Sequence, residues 1–244
     1  MAPRSVAGRD VESTAAARCA CYAALSALVA SPHDLDPRPA LRERIGLGSG
    51  IEYVDQLDAL LDEFASADLD ELKREYSGLF EVGDDGPPAP IREDLQTGQR
   101  SGTREDIVRF FNFFKYKLSE KYAWAPDHLS VELEFMHFLC YREATAGAGE
   151  HGDVLSYQLA QLDFSTRHLV NWVPRFAETV TNSAPNSLYA RALAAVAGFV
   201  RSDNEWQGST VVDSLSNDPG ADESDANEHG TNSAEKNNSG EESR

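Results

Sequence analysis

The sequence predicts an all-α protein, a single-domain helical bundle. Apolar residues recur at i, i+3 and i+4 through most of residues 11–200. No run alternates apolar and polar residues as a half-buried strand would. The breaks between periodic runs fall on Pro, Gly and Asp clusters, which end helices, and no internal repeat of fixed period occurs.

The first helix is predicted over Val11–Ala30, with Arg18, Tyr22, Leu25 and Val29 at helical spacing and a polar edge left over. Ser31-Pro32 and Asp36-Pro37-Arg38-Pro39 end it. Ile51–Phe64 repeats its apolar residues with a period near 3.6, and a further helix runs from Leu69 to about Phe80. A long loop rich in Gly, Pro and Asp follows, Glu81–Gly102. Thr103 is the expected N-cap of a helix reaching towards Lys121, with Glu105 and Asp106 complementing the dipole of its first turn. After a connector at Tyr122–Pro126, Asp127 is expected to cap an apolar helix ending near Gly147. Helices over Val154–His168, about Pro174–Thr181 and Ser187–Val200 complete the bundle, with Pro174 in a first turn where its missing N–H costs little. The expected organisation is a flexible N-terminus at 1–10, a helical domain at 11–201 and an acidic, disordered tail at 202–244.

With 41% hydrophobic residues the chain can build a core, and its formal net charge of -19 argues against nucleic acid or an anionic membrane as partner. The lysines are Lys73, Lys115, Lys117, Lys121 and Lys236, and an acidic, lysine-poor surface suits solubility at high salt, a halophilic signature. An acidic mesophilic protein with an acidic tail is the alternative. Cys19, Cys21 and Cys140 are too few for a disulfide framework and fit a reducing compartment as packing residues. Cys19–Ala30 is apolar like a signal sequence, but Asp10 and Glu12 stand where positive charge belongs. Nothing approaches the roughly 18 consecutive apolar residues of a membrane span. A cytoplasmic location is therefore expected.

Asp127, His128, Glu132, Glu134 and His137 gather carboxylates and imidazoles on one segment, with His128 and Glu132 four apart on a shared face. Glu134-x-x-His137 is half of a di-iron site, but the chain has no second Glu-x-x-His, and the string is not the His-Glu-x-x-His of zinc proteases. No nucleophile elbow, P-loop or dinucleotide fingerprint occurs. The reading is no catalytic residues and no metal. The long loop carries Pro87, Pro88 and Pro90, followed by Ile91, Arg92 and Glu93. Stiffened in this way beside the apolar helix end Tyr76-x-x-Leu79-Phe80, it forms either one wall of a peptide groove or a solvated surface loop.

Three strings together resemble the TorD/DmsD/NarJ family of redox-enzyme maturation chaperones: Tyr76-Ser77-Gly78-Leu79-Phe80, Pro90-Ile91-Arg92-Glu93, and Asp127-His128-Leu129-Ser130-Val131-Glu132-Leu133-Glu134-Phe135-Met136. The last is the most specific, and His168-Leu169 with Trp172, Pro174 and Phe176 is similar to a later helical segment of the family. The resemblance spans about Val11–Val200, and its wording is most similar to chaperones of the nitrate, selenate and dimethylsulfide-type branch. It implies a TorD-like helical fold without catalysis of its own. It also implies a client, the catalytic subunit of a molybdopterin oxidoreductase of the DMSO-reductase superfamily. Such chaperones bind the apoprotein, often at its twin-arginine signal peptide, until the molybdopterin guanine dinucleotide cofactor, carried by the client alone, is inserted. The client-peptide site implied is Tyr76, Leu79, Phe80, Pro90, Arg92, Glu93, Asp127, His128 and Glu132. Arg92-Glu93 departs from the family's usual wording after the loop proline, which leaves the loop's contacts open. In this reading Asp127 accepts hydrogen bonds from a client arginine, while Tyr76, Leu79 and Phe80 cover an apolar stretch. A generic helical adaptor without a molybdoenzyme client is the runner-up, and a metal-dependent or hydrolytic enzyme, lacking any complete ligand set, comes third.

Overall fold

The computed structural model describes residues 10–44, 57–83, 86–98, 102–123, 125–147 and 154–216. The helices within them are α1 (Val11–Val29), α2 (Arg38–Arg44), α3 (Asp58–Ser66), α4 (Leu69–Tyr76), α5 (Glu93–Gln96), α6 (Thr103–Phe113), α7 (Leu129–Gly147), α8 (Val154–Phe164), α9 (Val173–Ser183) and α10 (Leu188–Ser216). The architecture is all-α, as the periodicity predicts. The N-terminal segment 1–9 and the first part of the helix expected at Ile51 lie outside the described residues.

α1 and α7 lie along one another as the central pair, α8 and α10 flank them, and α9 folds back on α10. Val29, Leu133 and Met136 are fully buried, as are Leu193 and Val196 of α10. An aromatic seam runs through the middle: Tyr76, Phe80 and Tyr189 meet edge to face with centroids 4.9–5.6 Å apart, and Phe176 closes the group. Such pairs add roughly 0.5–1.5 kcal/mol each beyond area burial.

Two helices, α4 and α8, end in π-helical turns. Val82 N–H reaches Ser77 O at 2.9 Å after α4, and Val170 N–H reaches Ser165 O at 2.9 Å after α8. The extra residue in each turn rotates the side chains that follow, a distortion frequent at functional sites. Both turns carry strings that the sequence singles out, Ser77-Gly78-Leu79-Phe80 and His168-Leu169.

Several boundaries differ from expectation. α6 begins with Gly102, φ 100°, in the cap position, and Thr103 is its first residue. It stops at Phe113, well before Lys121, because Lys115 adopts φ 55°. Lys115 N–H then bonds Asn112 O at 3.2 Å and Tyr116 N–H bonds Phe111 O at 2.8 Å. With the Tyr116 ring 5.0 Å from that of Phe111, this is a Schellman closure with its apolar clasp. Pro174 stands in the first turn of α9 as expected.

The largest correction concerns Ser202. The sequence turns polar there, yet α10 continues to Ser216, and Asp203, Gln207 and Val211 are buried. Asp203 receives Arg18 Nε at 2.6 Å and Tyr22 Oη at 2.7 Å. Arg18 Nη2 donates to Gln161 Oε1 at 2.7 Å, and Glu143 lies 3.4 Å from Nη1. Arg18 and Tyr22, on the periodic face of α1, thus belong to a buried ionic centre joining α1, α7, α8 and α10, and the helix after Leu188 extends past 201.

Candidate functional site

The loop expected over Glu81–Gly102 does not stand off the surface. Ala89 N–H bonds Leu79 O at 2.9 Å, holding the prolines against the turn after α4. Glu93 N–H bonds Asp127 O at 2.9 Å and Leu129 N–H bonds Ile91 O at 3.2 Å, a one-rung antiparallel bridge between Arg92 and His128. Backbone bonds of this kind join the three motif strings into one site, and α5 grows directly from the bridge.

Asp127 does not cap α7. His128 does: its Nδ1 accepts Ser130 N–H at 3.2 Å and lies 2.8 Å from Ser130 Oγ. With Nδ1 accepting, Nε2 carries the proton and faces Tyr76 Oη at 3.2 Å, which in turn reaches Val29 O at 3.5 Å. Burial holds the imidazole of His128 down to about 4 and pushes the Tyr76 phenol upward, so both are neutral near pH 7.

The Asp127 carboxylate is completely buried beneath this bridge. Arg92 donates to it through Nη2 at 3.2 Å and Nε at 3.3 Å, Arg104 Nε lies 3.4 Å away, and Asp94 N–H donates at 3.3 Å. Burial disfavours its charge, but the hydrogen bond from Asp94 and the Arg92 guanidinium outweigh that and hold it below the usual carboxylate range. Asp94 takes the opposite shift, up to about 6, through burial and then the adjoining Asp127.

A second line of groups runs outward from Glu93, itself buried. Glu93 Oε2 meets His168 Nδ1 at 3.0 Å, and His168 Nε2 meets Asp106 Oδ2 at 3.1 Å. Asp106 pairs with Arg167, which also reaches Asp163 at 3.2 Å. At the inner end Glu132 accepts from Trp172 Nε1 at 3.3 Å through Oε2, while its Oε1 has no hydrogen-bond partner among the described residues. Burial, followed by the nearby Glu93 and Asp127, raises the Glu132 acid well above its ordinary value and favours its protonated form.

All nine expected site residues therefore converge, but not as an open groove. Tyr76 and Phe80 face the aromatic core, and Asp127 and Glu132 are sealed. The expectation that Phe80 and Tyr76 wall the groove, with Asp127 awaiting a guest arginine, is corrected: the chain's own Arg92 and Arg104 occupy Asp127. Leu79, Pro90, Arg92 and His128, half-buried, supply the accessible rim. Val82 and Leu95, 66% and 37% exposed, extend its apolar surface. Sequence reasoning missed Arg104, Asp94 and the role of Asp106. It had His168 and Trp172 as motif letters without partners.

The remaining candidates separate. Glu134 points to solvent, and His137 turns to Cys19, whose Sγ is 3.2 Å from Nδ1. Among the described residues no group of three His, Cys, Asp or Glu is arranged to hold a metal ion. Nor is any described helix long and apolar enough to cross a membrane.

Comparison with known proteins places these features. The chain is 34% identical over 122 residues to the chlorate reductase assembly chaperone protein of Ideonella dechloratans, covering 49% of this chain and 62% of that one. It is 36% identical over 126 residues to the selenate reductase assembly chaperone protein of Thauera selenatis, again covering 49% and 62%. The matches thus span a little under two thirds of these relatives' length. The chaperone protein TorD of Shewanella pealeana matches at 27% identity over 212 residues, 78% of this chain and 89% of the relative. A crystal structure of a putative redox enzyme maturation protein from Archaeoglobus fulgidus matches at 23% identity, 75% coverage of this chain and 93% of the other, with a TM-score of 0.44. Residues 47–178, which hold α3 to α8 and every motif string above, match the model for the nitrate reductase delta subunit. By that match the chain belongs to the nitrate reductase delta subunit family, the TorD/NarJ group of redox-enzyme maturation chaperones, whose matching relatives are named as chaperones and not as enzymes.

Proposed function

We propose that the chain is a cytoplasmic chaperone for the apo catalytic subunit of a DMSO-reductase-superfamily molybdoenzyme, such as a nitrate or DMSO reductase. It binds that subunit, with its twin-arginine signal peptide, until the molybdenum cofactor is inserted and export follows. The chaperone carries no cofactor of its own. The observation that carries this reading is the convergence of the family's motif strings on one face through the Arg92–His128 bridge. The names of the chlorate and selenate reductase chaperones support a reductase as client.

The proline-stiffened loop is pinned by backbone hydrogen bonds, so a guest meets a rim already ordered and loses less entropy on binding. Leu79, Val82, Pro90 and Leu95 offer apolar contact, and the exposed Glu81 a carboxylate for a basic residue. Asp127 acts behind this rim as a positioning residue, aiming Arg92 and fixing the loop.

The test is co-purification with tagged protein from its native cytoplasm at native salt. A molybdoenzyme catalytic subunit should be recovered, and Leu79→Asp should abolish its recovery while far-UV circular dichroism stays unchanged. Recovery of an unrelated protein, or of none during anaerobic respiration, would favour a generic adaptor.

A further inference from the structure

Along α6, where the Glu93–His168–Asp106 line ends at Arg167, lies a second surface that the proposed function does not use. α6 and α8, with Phe138 and Arg142 of α7, line two adjoining open hollows of about 500 and 510 Å³ that share Phe113, Phe114 and Ser156. Phe113 is 78% exposed, among the most exposed large apolar side chains described, and Leu159 beside it is 40% exposed. The Schellman closure explains the exposure. It turns Phe111 and Tyr116 inward as a clasp and leaves Phe113, two residues from Phe111, outward on the last turn. Large apolar groups held out by a rigid turn mark an interaction surface.

The charge around these hollows runs against the rest of the chain. In a protein of net charge -19, Arg109 and Lys115 line these hollows, and Lys117 follows two residues later in the chain. Arg109, Lys115 and Lys117 are exposed. The two acids lining the hollows, Asp106 and Asp163, are both engaged by Arg167, and Arg142 is held by Tyr157 Oη at 3.2 Å. Apolar hollows edged by cations fit a partner that alternates apolar and acidic side chains. A basic twin-arginine segment would be repelled.

We propose that the α6–α8 face is a second docking surface, taking an amphipathic acidic segment of the client. Apolar side chains seat on either side of Phe113, and carboxylates point to Arg109, Lys115 and Lys117. The identity of the partner rests on the chaperone reading; the chemistry of the surface does not. The two faces would then hold client segments of opposite charge, one basic and one acidic.

The test uses the full chain and a labelled helical peptide of about four turns, Leu and Glu at helical spacing, with a counterpart carrying Lys for Glu. The Glu peptide should bind in fluorescence anisotropy, weakened at least about tenfold by Phe113→Asp and by Arg109→Glu, both exposed sites whose unfolding midpoints should not move. Equal binding of the Lys peptide, or a Glu peptide indifferent to both substitutions, overturns the proposal. A Phe113-dependent dimer, or Phe113-dependent retention on anionic vesicles in place of peptide binding, overturns it as well. The peptides contain no client sequence, so their failure counts against this surface alone, while the co-purification above decides the chaperone reading separately. A photoreactive residue at 113 in the co-purified complex should label an acidic, apolar client segment outside the twin-arginine leader; labelling confined to the leader would contradict the assignment.

Discussion

Arg18 and Asp127 are both completely buried ions, and each is met by partners from distant parts of the chain. Around Arg18, Asp203 accepts at 2.6 and 2.9 Å, Gln161 at 2.7 Å, and the Trp206 ring lies 5.0 Å from the guanidinium carbon. Asp203 is itself completed by Tyr22 and by Gln207 at 2.6 Å. Desolvation would lower the Arg18 pKa, but Asp203 more than compensates and holds it well above the ordinary value. The Asp127 centre has fewer long-range anchors and more loose ends. Its cations Arg92 and Arg104 reach solvent, Asp94 Oδ1 and Glu132 Oε1 lack partners among the described residues, and the line of acids ends at the exposed Arg167. One network locks four helices. The other ties a loop to a helix start and leaves protonatable groups near a binding rim. A buried ion pair by itself says little about function; the useful distinction is whether its partners belong to the bundle or to a loop.

The comparison can be broken first at Arg18. Arg18→Met should strip Asp203 and Glu143 of their counter-charge and cost about 3–5 kcal/mol in urea unfolding, the usual result of removing one partner of a buried pair. A loss below about 1 kcal/mol would mean the cluster does not hold the bundle. Phe80→Ala should come close behind at about 3–5 kcal/mol, because Phe80 is packed against Tyr76, Phe176 and Tyr189 and not exposed to a guest. Weakened client binding with unchanged stability would restore Phe80 to the groove.

The smallest effect sharpens the second region, through pH. The native Glu132 pKa is raised above that of the unfolded chain, so between the two values the native state binds the extra proton. Its contribution is therefore full below the ordinary carboxylate pKa of about 4.3 and is lost as pH rises through the native value. Asp94, raised to about 6, acts in the same sense between about 4 and 6, whereas His128, lowered to about 4, contributes above about 6.5 and loses it as pH falls through its native pKa. The difference in unfolding free energy between wild type and Glu132→Gln isolates the first of these. Wild type should lose ground to the variant as pH rises above the ordinary carboxylate pKa of about 4.3; a flat difference would show that Glu132 is ionised in the native state.

Much of this was legible before the structure. Helix period and breaker residues placed α1, α4, α7, α8 and α9 to within a few residues, because burial on one face of a helix is written at local spacing. The motif strings mark segments that the fold brings together through the Arg92–His128 bridge. The sequence could not show which way those residues face. Asp127 reads as a cap, and Phe80 as a groove wall, until backbone bonds to a loop some 35 residues away turn one inward and the π turn commits the other to the core.

Periodicity and contiguous strings, both local, were enough for the helical class and the family. Tertiary structure alone decided that Arg18 and Asp203, 185 positions apart, form one ion pair. It likewise decided that the polar stretch after Ser202 is helix, and that Glu93, His168 and Asp106 line up between Glu132 and the surface. Such pairings carry no local signal: a charged residue that is buried and paired is spelled the same as one in water, and only the approach of its partner through the folded chain tells them apart.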